Sequence, residues 1–313
     1  MISKTELLQM QGLPLDMKIR KTFARIGEWY DYYEGNVVVA FSGGIDSTVL
    51  VDIARRYRPN IKAMFSNTGL EMPEIVDFVH TFGNVIEVRP EKSFKWVLEN
   101  CGYPVVSKRV ARYVRDCQNP TDRNFNVRNL RLTGYSSVTQ PGKYQPSMKI
   151  PNKWLKLIDA PFRVSEQCCD HMKKHPLQKF QKEYGLVPMT AEMADDSERR
   201  AQTYMRTGCN NYSETSPKSM PMGFWTRQDV LAYIKIFNLP YCSVYGDIIY
   251  NPITKTIETT GEQRTGCMFC MFGVHLEKHP NRFERMKISH PKHYAVCMNL
   301  GCGKVMDYIG VSH

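Results

Sequence analysis

Two groups of residues in this 313-residue chain combine types and spacing that can do chemistry. The first is the turn Ser42-Gly43-Gly44-Ile45-Asp46-Ser47. Its two glycines let backbone approach a ligand closely and adopt positive φ. A helix after the turn presents N–H groups and the positive end of its dipole. With hydroxyls from Ser42, Ser47 and Thr48, these make a cradle for phosphate or pyrophosphate. Asp46 would either help to hold Mg²⁺ or orient the loop through backbone hydrogen bonds. The turn is neither the P-loop with GK[ST] nor GxGxxG. The second group is Cys168-Cys169 with Cys267-Met268-Phe269-Cys270. A CxxC puts two thiolates on one tight turn, and a distant second pair completes a four-thiolate site. Zn²⁺ accepts such ligands as readily as iron does. Adjacent cysteines strain a single tetrahedral ion, whereas a cubane offers four separate irons.

The elements around the turn are of the kind that would position it. Val37-Val38-Val39-Ala40-Phe41 is a short β-branched run suited to a strand buried on both faces. After the turn, Val49, Leu50, Ile53 and Ala54 repeat with helical spacing. Ile61–Phe65 and Asn84–Val88 read as further strands, with a helix over Met72–Phe82 that Pro73 opens. Leu15–Tyr33 and Arg227–Phe237 read as helices and Leu186–Thr190 as a strand. Strands alternating with helices predict an α/β fold with a doubly wound parallel sheet. Residues 118–153 have little periodicity and read as a surface loop or an inserted subregion. From about residue 245 onward the pattern is irregular and rich in Gly, Cys, His and Lys. The expected division is a helical segment over 1–35, a nucleotide-binding α/β domain over 36–245 with an insertion at about 118–153, and an irregular Cys-rich C-terminal extension over 246–313 that completes the thiolate site.

With 42% hydrophobic and 23% charged residues, the composition is globular, which excludes disordered, collagen-like and coiled-coil classes. No apolar run reaches the roughly 18 residues of a membrane span. The N-terminus has no apolar signal region, so a cytoplasmic protein is expected. Ten cysteines there are not a disulfide framework. Cys101, Cys117, Cys209 and Cys242 lack partner spacing and read as core residues. Cys297 or Cys302 could replace one of the adjacent pair as a ligand. His275, His279, His290 and His293 sit near the CxxC in sequence and could shape the site, but helix faces and loops carry such histidines routinely. A net charge of +11 suits either solubility or a polyanionic partner.

SGGIDS resembles the pyrophosphate-binding loop of the N-type ATP pyrophosphatases. Phe65-Ser66-Asn67-Thr68-Gly69-Leu70-Glu71-Met72-Pro73-Glu74 is similar to the DTGxxFPE segment of the branch containing the PAPS and APS reductases. Trp225-Thr226-Arg227-Gln228-Asp229-Val230, with Tyr233-Ile234 and Leu239-Pro240-Tyr241, is similar to that branch's W-x-x-x-D-V-x-x-Y-I…LPY. The resemblance spans about residues 36–280. It implies an adenine nucleotide alpha hydrolase-like, Rossmann-like fold. It implies that Phe41, Ser42, Gly43, Gly44, Asp46 and Ser47 bind nucleotide phosphates, and that Asn67, Thr68 and Gly69 line the adenosine pocket. Ala191–Arg200 resembles GxRxxES-xx-R, with Met193 in place of the first Arg and Arg200 matching the last. Asp46, Lys108 and Arg200 make the expected catalytic set, and Arg109 is a further anion candidate. CCDHMKKHPLQKF resembles a CC-x-x-x-K-x-x-PL segment of the APS reductases, with Lys174 and Pro176-Leu177 in register. In those enzymes CC and a later CxxC hold a [4Fe–4S] cluster, which would here rest on Cys168, Cys169, Cys267 and Cys270.

The resemblance leaves three functions to weigh. An ATP pyrophosphatase would bind ATP with Mg²⁺, adenylate a substrate oxygen and admit sulfur from a donor protein such as a cysteine desulfurase. The intact loop favours this, because the reductases tend to degrade it. The positive charge suits DNA or tRNA as acceptor, and members tied to DNA phosphorothioation share this pattern. A thioredoxin-dependent APS or PAPS reductase would release sulfite. It needs a C-terminal ECGLH, where this chain has Gly301-Cys302-Gly303-Lys304. A nucleotide- or DNA-binding regulator without turnover is the third.

Overall fold

A computed structural model describes residues 2–136, 138 and 141–313. Its strands are β1 (Val37–Ala40), β2 (Lys62–Ser66), β3 (Val85–Val88), β4 (Val105–Val106), β5 (Val187–Met189), β6 (Asn210–Asn211), β7 (Lys218–Ser219), β8 (Ile248–Asn251), β9 (Thr256–Thr259) and β10 (Met271–Phe272). The chain forms two units. One runs to Arg89 and resumes over Pro176–Thr265; the other comprises Pro90–His175 and Gly266–His313. These bounds cut across the divisions 36–245 and 246–313, because residues 90–175 leave the first unit.

In the first unit six strands run in the order β3-β2-β1-β5-β7-β6, all parallel except the β6–β7 pair. Side chains alternate across a strand. Val37 and Val39 accordingly enter the large core with Leu50, Trp225 and Tyr233, while Val38 packs on the other face with Met64 and Phe180. Burial on both faces is what the unbroken β-branched run requires. Chain order reverses at β1, which has β2 on one side and β5 on the other. In open α/β sheets the crevice at the carboxyl end of such a switch strand is where ligands sit. Helices Leu15–Tyr32 and Arg227–Phe237 are tied together by Lys18, whose buried ammonium reaches Asp229 at 2.5 Å and the Gln11 carbonyl at 2.6 Å. Asp229 also caps its own helix through Thr226, so this motif residue braces the fold.

The second unit pairs β4 with β10 in parallel. Residues 118–153 are not all loop. They carry helix Phe125–Thr133 and 3-10 turns at Asp122–Asn124 and Pro146–Met148, and the turn Asn152–Leu157 begins there. That helix buries no residue, so it has no apolar stripe for periodicity to reveal. The C-terminal irregularity likewise gives way to three helices, Arg282–Ser289, Pro291–Asn299 and Cys302–Ile309. They are eight or nine residues long; the first opens on the Asn281–Glu284 capping box, the second on Pro291, and the last buries Cys302, Val305, Met306 and Ile309 at helical spacing. Among the described residues no helix is long and apolar enough to cross a membrane.

Candidate functional site

At the carboxyl end of β1 the chain turns through Phe41–Gly44 into helix Ile45–Tyr57. Gly43 has φ +71°, and a Cβ there would meet Ile75 Cγ2 at 2.8 Å and Val79 Cγ2 at 2.9 Å. Glycine is therefore required twice over, by conformation and by space. The turn is laced by its own hydroxyls. Ser42 N–H donates to Ser47 Oγ at 3.1 Å, and Ser47 Oγ and Thr48 Oγ1 donate to the Gly44 carbonyl at 2.8 and 3.0 Å.

A cavity of about 270 Å³ opens over this turn. Ala40, Ser42, Gly44, Asp46 and Ser47 form one wall; Ala191 and Glu192, just past β5, and Asp196 and Arg200 form another. Arg227, Tyr245, Arg264 and Thr265 complete it. Three guanidinium groups thus face three carboxylates. Arg227 holds Asp46 at 3.1 Å and the Gln263 carbonyl at 2.9 Å. Asp196 takes Arg264 at 3.2 Å and also pairs with Arg200. Burial raises the Asp46 carboxyl above the ordinary range; Arg227 opposes the shift and the neighbouring Asp196 adds to it. A polyphosphate entering here would compete with Asp46 and Asp196 for the arginines, which bind phosphate bidentately. Helix Ile45–Tyr57 directs its N-terminus at the same space, where anions are favoured.

The expected phosphate and adenosine residues divide. Ser42, Gly44, Asp46, Ser47 and Arg200 line the cavity. The Phe41 ring does not: it is buried in the core, 4.9 Å from the Phe82 ring. Gly43 shapes the turn without lining the space. Asn67, Thr68 and Gly69 follow β2 at the same sheet edge, since β1 and β2 are parallel neighbours. They hydrogen-bond among themselves and to acidic neighbours: Asn67 to Glu87, Thr68 to Glu71, and Gly69 N–H to Asn67 Oδ1. Met193, where the resembling motif has Arg, is buried in the core. Lys108 is the exposed first residue of helix Lys108–Gln118, in the second unit, with Arg109 beside it. Sequence reasoning missed Arg264 and Thr265, which lie in irregular chain, and Tyr245, which ends the 3-10 turn Ser243–Tyr245. It quoted Arg227 and Asp196 only as motif neighbours; their charge beside an anion loop was the available signal.

The second unit gathers the thiols. Cys270 N–H donates to the Cys267 carbonyl at 3.1 Å, closing the CxxC turn. Cys168 is buried, and burial together with Cys169, Cys267 and Cys270 nearby raises its thiol far above the ordinary value. Burial also raises Cys270, against a hydrogen bond from Phe272 N–H and the cation Arg282. Four thiols within electrostatic reach, with an N–H donor and a cation beside one of them, are a donor set that suits a thiolate-held iron–sulfur group. Among the described residues no three His, Cys, Asp or Glu side chains close around a single metal-ion position. Cys297 and Cys302, both fully buried, share a hydrogen bond with each other.

The profile of the phosphoadenosine phosphosulfate reductase domain matches residues 36–118 and 124–302. An adenosine 5'-phosphosulfate reductase of Staphylococcus epidermidis is 24% identical over 247 residues, 76% of this chain and 78% of that one. The enzyme of the same name from Oceanobacillus iheyensis is 23% identical over 250 residues, 78% of this chain and 82% of that one. A crystal structure of phosphoadenylyl-sulfate (PAPS) reductase from Candida auris, a phosphate complex, superposes with a TM-score of 0.39 at 14% identity, covering 78% of this chain and 91% of that one. The domain match, not that superposition, settles the family: this chain belongs to the phosphoadenosine phosphosulfate reductase domain family.

Proposed function

We propose that this member of the family is an ATP pyrophosphatase that activates an oxygen atom of a nucleic acid for sulfur transfer. One observation carries the reading. The Ser42–Ser47 turn keeps both glycines and both serines and walls a cavity with three arginines, a place for a triphosphate tail. An adenylyl sulfate has no pyrophosphate to put there. In this reading the substrate oxygen attacks the α-phosphorus of ATP. The new P–O bond forms as the bond to the β-phosphate bridge breaks, and pyrophosphate departs against Arg200, Arg227 and Arg264. The terminal sulfur of a cysteine persulfide on a donor protein such as a cysteine desulfurase then attacks the activated atom and expels AMP, and a dithiol reductant supplies the two electrons that split the resulting S–S bond and leave the sulfur on the nucleic acid. The work of these residues is positioning and charge neutralisation. Asp46 would hold Mg²⁺, which supplies counter-charge to the phosphates when bound. Cys168, Cys169, Cys267 and Cys270 would hold a [4Fe–4S] cluster, which supplies a redox and sulfur-handling centre when bound.

APS or PAPS reduction is the second reading, and the names of the two bacterial relatives favour it. It asks for an accessible thiolate. Cys302, at the position of the reductase tail, is fully buried beside Cys297. The two readings separate in one experiment on anaerobically purified protein, given ATP with DNA, with tRNA or alone, and in parallel APS or PAPS with thioredoxin. AMP, pyrophosphate and sulfur incorporated into one nucleic acid are expected. Sulfite release with ATP untouched would overturn the proposal.

A further inference from the structure

Residues 108–156 hold eleven Lys and Arg against two Asp, a net +9 of the chain's +11. The whole segment belongs to the second unit. Some of this charge is internal bracing: Arg115 pairs with Glu166 at 3.1 Å, and Arg131 pairs with Asp116 at 3.5 Å while lying over the Tyr113 ring. Lys108, Arg109, Arg112, Arg123 and Lys143 are exposed and have no ion pair among the described residues.

Aromatic rings stand exposed among these cations. Phe125 is 64% exposed, with Arg128 above its ring, and Tyr135 and Tyr144 are each 48% exposed. The two tyrosines are not on a frayed tip. They face each other across an antiparallel bridge with ring centroids 5.2 Å apart, and Gln145 N–H donates to the Gly134 carbonyl at 2.7 Å. Gly134 has φ +83°, and a Cβ there would sit 2.5 Å from the Tyr144 ring, so the chain makes room for that ring. Cations alone suit any polyanion. Cations interleaved with exposed rings suit a strand whose phosphates meet the cations and whose unpaired bases stack on the rings. A duplex hides those base faces, and an acidic protein surface has none.

We propose that Lys108, Arg109, Arg112, Arg123 and Lys143 with Phe125, Tyr135 and Tyr144 form a surface that holds single-stranded or looped nucleic acid. That the bound strand is also the sulfur acceptor rests on the function proposed above; the binding itself does not.

The test is fluorescence anisotropy on the cluster-loaded protein. The probes are a single-stranded oligonucleotide as DNA and as RNA, the matching duplex, and polyphosphate as a base-free competitor. Tyr135→Ala with Tyr144→Ala should weaken single-strand binding by roughly 10- to 100-fold, the scale of one base stacked on this ring pair, and leave duplex binding unchanged. Tyr135→Phe with Tyr144→Phe keeps the rings and should bind as the parent does, which separates stacking from misfolding. Arg123→Glu with Lys143→Glu should weaken every nucleic acid and flatten the salt dependence by about two phosphate contacts. The DNA and RNA arms decide which strand is held. Alanine variants that bind the single strand undiminished, or parent protein that binds polyphosphate as tightly as the oligonucleotide, would overturn the proposal. Strand binding without pyrophosphate release would refute the sulfur-transfer reading and leave the surface standing; pyrophosphate release without strand binding would do the reverse.

Discussion

The two units solve opposite electrostatic problems. In the first, the cavity over the Ser42–Ser47 turn sets three arginines against three carboxylates, so its charge is balanced before any ligand arrives. In the second, four thiols crowd together and burial drives Cys168 and Cys270 toward the neutral form. A balanced pocket gains a ligand by exchange of partners. A crowded thiol group gains one by losing protons, because only thiolates bind metal. One site should therefore respond to point changes in charge, the other to pH and to the loss of single sulfurs.

The largest expected effect is at the thiols. If the proposed cluster is bound, the anaerobically purified protein should absorb in the visible and Cys270→Ser should abolish that band; unchanged absorbance would remove Cys270 from the ligand set. Next is the brace of the first unit. Lys18→Met leaves Asp229 as an uncompensated, largely buried charge, a change that costs about 3–5 kcal/mol. Chemical denaturation should show that loss, and a loss below about 1 kcal/mol would mean that the pair is solvated. Arg227→Ala removes the partner of Asp46, and a charged hydrogen bond is worth about 1.5–3 kcal/mol. Calorimetric ATP affinity should fall by roughly 10- to 100-fold. Arg227 holds the Asp46 carboxyl down, so the variant should also lose affinity at a higher pH on acidification than the parent does.

The smallest effect is a slope, and its sign differs with the state of the thiols. In the metal-free protein Cys168 and Cys270 are raised above the ordinary 9.0. Their contribution to stability is fully present below that value and is lost as pH climbs above it. Metal-free protein should melt earlier above pH 9, whereas reconstitution of the cluster should improve with rising pH and fail on acidification. Melting curves and cluster absorbance across pH measure both; parallel trends would mean that the thiols are not the ligands.

Much of the first unit was legible because its physics is periodic. Val37–Ala40 alternates between two cores, and Gly43 is fixed by a positive φ that only glycine takes easily, so strand, turn and helix can be read in order. Arg264, Thr265 and Tyr245 were not legible as site residues, since Tyr245 reaches the cavity from a short 3-10 turn before the β8–β9 hairpin and Arg264 and Thr265 reach it from irregular chain after it. Phe41 misled in the other direction: it sits within the motif, yet its ring belongs to the core. In the second unit the CC and CxxC pairs were visible as spacing. Helix Phe125–Thr133 was not, because it buries no face; in Cys302–Ile309 the stripe of Cys302, Val305, Met306 and Ile309 was present but spans only two turns among Gly and Cys residues.

The central claim is that the turn after β1 grips the phosphates of ATP, and Gly44→Val tests it most directly. Gly44 has φ −76°, which valine tolerates, and its added carbons would press on Tyr245 OH and Thr265 Oγ1, each 3.2 Å from an ideal Cβ. With folding verified by melting temperature, pyrophosphate release from ATP should fall by about 100-fold or more, the scale of a misplaced reacting group. Undiminished release from a folded Gly44→Val protein would contradict the claim.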